Sequence, residues 1–131
     1  MACLFDPPLN PARWIVAIAL APSLAAGAAD PDFTRDVRPI LSNRCFKCHG
    51  PDAEHQEAGL RLDLREAAVA ELESGSRAIL PGRPDSSELV ARITSTDPDL
   101  IMPPPHTKVE LTDAERQVLT AWIAAGATPE T

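Results

Sequence analysis

The stretch Cys45-Phe46-Lys47-Cys48-His49 constrains this chain more than any other part of it. Two cysteines three apart, with a histidine directly after the second, form the attachment signature for a covalently bound c-type haem. On one helical turn both thiols face the same edge of a macrocycle, within reach of its vinyl groups, and His49 follows in line for one axial side of the iron. Cys-x-x-Cys also serves zinc sites and thiol redox enzymes. A structural zinc site needs four ligands, and no second Cys-x-x-Cys follows to complete one. A thioredoxin-like motif needs a βαβ context that the hydrophobic pattern does not supply. The haem reading is therefore favoured over a haem-free zinc or dithiol module.

The only other cysteine, Cys3, precedes an apolar run from Trp14 to Ala21, itself preceded by Arg13 and followed by small residues ending Ala26-Gly27-Ala28-Ala29. This pattern predicts a secretory signal peptide over residues 1–29, a single domain over 30–131, and a periplasmic or otherwise extracytoplasmic address. A retained membrane anchor is the alternative. Pro22 and Ser23 interrupt the run, leaving it short of the ~20 apolar residues a span needs. Cleavage would remove Cys3. An exported domain whose two cysteines lie three apart has no disulfide framework, so its thiols serve a cofactor.

Twelve basic residues face nineteen acidic ones, a net charge of −7. Loss of the leader removes one of each, Arg13 and Asp6, and leaves the balance unchanged. This argues against nucleic acid as a partner, and is compatible equally with electrostatic steering toward a basic redox protein and with simple solubility. Beyond the leader the aromatic residues are Phe33, Phe46 and Trp122, a thin core for a domain of this length. A haem macrocycle would add the missing apolar surface. Fourteen prolines predict short helices and stiff loops rather than long regular elements. The fold class expected is all-α, a small bundle of short helices and loops wrapped around one covalent haem.

From Asp32 to Arg44, Phe33, Val37, Ile40 and Leu41 recur at helical spacing, with Asp32 or Thr34 as cap and Pro39 either kinking the helix or opening a second turn. Phe33 is expected to dock on the last helix beside the haem edge. Asp52 to Ala58 reads as a loop in which a backbone carbonyl accepts the ring N–H of His49 and His55 stays exposed. Gly59 to Asp63 alternates in polarity, predicting a short extended segment with Leu60 and Leu62 inward. Asp63 with Glu66, Asp85 with Glu88, and Thr112 with Glu115 are candidate capping boxes for three further helices. The first of these should run through Leu72, the second should turn Leu89 and Ile93 inward, and the third should carry Val118, Leu119, Trp122 and Ile123 to Gly126. Arg61 and Arg83 are candidates for pairing with haem propionates.

Met102 is the only methionine after the first residue, and it opens the run Met102-Pro103-Pro104-Pro105-His106. A triple-proline strut can hold its thioether at a fixed distance from iron. Histidine–methionine ligation raises the reduction potential and closes the sixth position, which suits electron transfer. His106 is the competing ligand, and a labile Met102 would make the domain a haem sensor or catalyst. No motif places a nucleophile or an acid–base pair, so no catalytic residue is assigned.

The order of helix, Cys-x-x-Cys-His, methionine loop and closing helix resembles a class I cytochrome c. More closely, the chain resembles the planctomycete-type cytochrome c domain, through Val37 to Leu41, Cys45 to Gly50, Gly59 to Asp63, Pro81-Gly82 with Ser87 to Ile93, Met102-Pro103-Pro104, and Leu111-Thr112 through Trp122-Ile123 to Gly126-Ala127. The resemblance implies one haem c with its iron, thioethers on Cys45 and Cys48, and axial ligation by His49 and Met102. It also implies a redox partner protein or further domains of a larger polypeptide, because such domains usually stand at the start of large secreted proteins.

Overall fold

Asp32 starts the helical part of the chain by accepting the backbone N–H of Arg35 on its carboxylate at 2.7 Å. The computed structural model describes residues 27–129, so the apolar run of the expected leader and Cys3 lie outside the described residues. One wide π-helical turn, Phe33–Val37, passes directly into α1, Arg38–Arg44. Pro39 explains the change of pitch. It has no N–H to give the carbonyl of Arg35, and its ring would press on that carbonyl in a regular helix, so the turn before it widens.

Helix α2, Phe46–His49, follows with Cys45 at its N-terminus. Helix α3, Arg65–Val69, is shorter than the sequence predicts. It has no side-chain cap, because Arg61 holds the Asp63 carboxylate through Nε at 3.0 Å. Ala70 leaves the helix in extended conformation, and the chain turns at Gly75, well short of a helical Leu72. The expected extended segment at Gly59 to Asp63 is a loop, although Leu62 is buried and Leu60 partly so. An isolated antiparallel bridge between Glu71 and Arg77 is the only β-type pairing among the described residues.

Pro81-Gly82 forms the expected turn, closed by the N–H of Arg83 on the carbonyl of Leu80 at 2.9 Å. Gly82 sits there at φ +76°, the left-handed geometry a turn with proline before it requires. A short 3₁₀ turn, Pro84–Ser86, leads to α4, Glu88–Thr94. Asp85 does not cap α4. Ser87 stands at its N-terminus and uses its buried hydroxyl elsewhere, accepting the N–H of Leu80 at 2.9 Å and donating to the carbonyl of Arg83 at 3.0 Å. Pro104 is extended, but Pro105 already begins a 3₁₀ turn through Thr107, so the three prolines do not make one continuous strut.

The last helix, α5, spans Asp113–Ala124 with the full capping box of Thr112 and Glu115. Its inner face, Leu119, Trp122 and Ile123, packs on Val37, Ile40 and Leu41. Ala78, Ile79, Leu89 and Ile93 extend the same core toward the middle of the chain. The rings of Phe33 and Trp122 pack tilted with centroids 5.5 Å apart, joining the first and last helical elements. No helix among the described residues is long and apolar enough to cross a membrane.

Candidate cofactor site

The Cys45–His49 turn is fixed from both ends by backbone bonds. Cys45 donates its N–H to Leu41 at 2.8 Å, continuing α1, and its own carbonyl accepts the N–H groups of Cys48 and His49 at 3.2 and 2.9 Å. At the other end the loop folds back, with Glu57 donating to the carbonyl of Cys48 and Leu62 to that of His49, each at 2.8 Å. A helix this short leaves its last carbonyls without internal partners. The loop from 50 to 62 satisfies them, and so sets the position of His49.

Beside this turn lies a cavity of about 680 Å³, well within the range that holds a cofactor-sized ligand. Cys45, His49 and Met102 all line it, although Met102 is 53 residues farther along the chain than His49. The rest of the wall is largely apolar, with Leu60, Leu62, Leu89 and Ile93 among its members. Cys48 is half-buried one turn from Cys45 but is not part of the wall.

Burial holds the His49 imidazole below its ordinary pKa, favouring the neutral ring. Backbone groups of Glu57 and Leu60, and the Glu57 charge, pull the other way. None completes a hydrogen bond on Nδ1, which is buried and without a partner. The expected carbonyl acceptor therefore has two near candidates, one in the loop and one just after it. Burial pushes the Cys45 thiol up to about 12, helped by the charge of Glu115 and opposed by Arg44. A thiol held protonated is a poor metal thiolate or redox nucleophile. Both cysteines are free, and no group of three His, Cys, Asp or Glu side chains among the described residues is disposed to hold a metal ion.

The remaining candidates are elsewhere. His55 is exposed, with Nδ1 2.8 Å from Asp52 Oδ2. His106 is exposed on the 3₁₀ turn after Pro104 and does not reach the wall. Arg61 is occupied by Asp63, Arg83 is exposed, and neither lines the cavity. Phe33 and Trp122 pack together as expected, but away from the cavity wall rather than beside it. The arginine on the wall is Arg92, which sequence reasoning missed. The signal was present, since position 92 shares one face of α4 with the inward positions 89 and 93.

A family model described as planctomycete cytochrome C matches residues 45–106. Every residue lining the cavity, from Cys45 to Met102, falls within that match. No curated protein and no solved structure matches the chain.

Proposed function

Because residues 45–106 belong to the planctomycete cytochrome C family, we propose that this chain is an extracytoplasmic electron-transfer domain carrying one haem c. Cys45 and Cys48 hold the haem by thioethers, and His49 and Met102 ligate its iron. The observation that carries the reading is that Cys45, His49 and Met102 share one apolar cavity wall. The donor set fits the group: two free thiols, a buried imidazole with an unpartnered Nδ1, and a thioether.

When bound, the haem supplies an iron that passes between ferric and ferrous, taking one electron from a reduced redox protein and giving it to an oxidised one. The residues of the chain set the conditions for that exchange. His49, neutral through burial, offers one ring nitrogen, and the backbone of Glu57 or Leu60 would accept the N–H of the other. Met102 offers a soft neutral ligand that favours the ferrous state. Leu60, Leu62, Leu89 and Ile93 keep water from the ring. Residues 1–29 act as the export signal in this reading, and the partner is a redox protein or a further domain of a larger polypeptide.

The test is a visible spectrum, oxidised and reduced, of protein made in a host competent for c-type cytochrome maturation, for wild type and Met102→Ala. A covalent haem spectrum is expected in both, with the ferric methionine charge-transfer band present only in wild type. A colourless wild-type protein would sink the whole reading, and a coloured one lacking the band would remove Met102 from it.

A further inference from the structure

Among the described residues, the loop that carries Met102 is hydrogen-bonded to the rest of the protein at one residue. Within residues 95–102, the N–H groups of Leu100 and Ile101 both reach the carbonyl of Asp97 at 3.0 and 2.8 Å. Asp97 donates to Ser95 Oγ at 3.1 Å and Asp99 to Asp97 Oδ1 at 2.9 Å. These bonds shape the loop without anchoring it. Every hydrogen bond between this segment and other described residues ends on Arg92. The carbonyl of Arg92 accepts the N–H of Ser95 at 3.4 Å and that of Met102 at 3.1 Å, and its Nη1 donates to the carbonyl of Leu100 at 3.4 Å. The guanidinium is held in turn by Glu88, one helical turn back, through Nε at 2.8 Å. Glu88, Arg92 and Met102 all line the cavity.

We infer that Arg92 is the latch of the Met102 loop, a positioning residue whose guanidinium, seated on Glu88, keeps the Met102 thioether on the cavity wall and so excludes other small ligands from the sixth position. The inference rests on the ligation proposed for Met102. The planar fork is suited to the task because it serves Glu88 and the Leu100 carbonyl at once, from two different nitrogens. A lysine at 92 has a single ammonium and can serve both partners only poorly.

The test uses the ferric haem-loaded protein and imidazole as the probe, comparing wild type with Arg92→Gln, Arg92→Lys and Arg116→Gln. Arg116 is the control, since it joins α5 to the end of α4 by donating to the carbonyl of Ile93 at 2.9 Å, is held by Asp113 of its own helix at 2.7 Å, and makes no bond to the Met102 loop. Arg92→Gln should weaken the methionine charge-transfer band and tighten imidazole binding about threefold, the shift that losing one long hydrogen bond gives a two-state equilibrium while both bonds to the Arg92 carbonyl remain. Arg92→Lys should fall between, and it carries the test if Arg92→Gln fails to fold. Arg116→Gln should lower thermal stability while leaving band and imidazole affinity at wild-type levels. The latch is overturned if the Arg92 variants keep the wild-type band and affinity, or if Arg116→Gln changes both as much as they do. A wild-type protein without the band would already have removed Met102, before any Arg92 variant is compared.

Discussion

A β-carbon on Gly50 would stand 2.3 Å from the carbonyl oxygen of Phe46. Gly50 has an ordinary negative φ, so the requirement for glycine is close approach of backbone to backbone, not a left-handed conformation. The chain leaves the Cys45–His49 turn by folding tightly against its first residues, and only a hydrogen at this position fits. Gly50→Ala must therefore shift the backbone of the turn itself. A cost of about 1–3 kcal/mol is expected, read as a fall in melting temperature of ~4–8 °C per kcal/mol, with poorer haem incorporation. An unchanged melting temperature would show that the turn yields freely.

His106→Ala should leave the spectrum and the reduction potential unchanged, because His106 is exposed and off the cavity wall. Replacing the thioether removes a ligand that favours ferrous iron, so Met102→Ala should lower the potential. A potential that moves with His106 rather than Met102 would reverse the assignment of the distal ligand.

Thr112→Ala removes the oxygen that accepts the N–H of Glu115 at 3.1 Å. The loss of this cap is expected to cost about 1 kcal/mol, seen in thermal or denaturant unfolding. The visible spectrum should stay as in wild type, since neither capping residue touches the cavity.

Glu115 also joins α5 to α1, its Oε1 accepting from Arg44 Nε at 3.1 Å. Burial pushes its carboxyl up, but the backbone N–H of Thr112 and the Arg44 guanidinium outweigh that and hold it below 4.5. A carboxylate depressed on folding contributes stability above its unfolded value and loses it as pH falls through the lowered one. The stability difference between wild type and Glu115→Gln should therefore be full above the ordinary carboxylate range and shrink as pH falls through and below it in denaturant titrations. A difference independent of pH would mean that the charge of Glu115 contributes nothing.

The parts of this fold that could be read from sequence are those whose cause lies within one or two turns. The capping box of α5, its inward stripe and the Cys45–His49 turn all have local causes, and each forms where the spacing predicts. The carboxylates of Asp63 and Asp85 failed as caps for reasons outside their spacing. Asp63 is taken by Arg61, and the start of α4 is organised by the buried Ser87 hydroxyl reaching back to Leu80 and Arg83. At the site, Met102 stood out in the sequence as the lone methionine of its loop, and it lines the same cavity as His49. Helical periodicity could have placed Arg92 on the inward face of α4, but not its hydrogen bonds to Leu100 and Met102, which depend on a loop path that periodicity does not encode.

The Phe33–Trp122 contact brings the first and last helical elements together, while neither ring touches the cavity wall. Residues 33 and 122, at the start of the first and near the end of the last helical element, are therefore neighbours in space. A seam of this kind clasps the first and last helical elements to each other, so that strain arriving along either of them falls first on aromatic packing. The wall that holds Cys45, His49 and Met102 takes no part in that clasp.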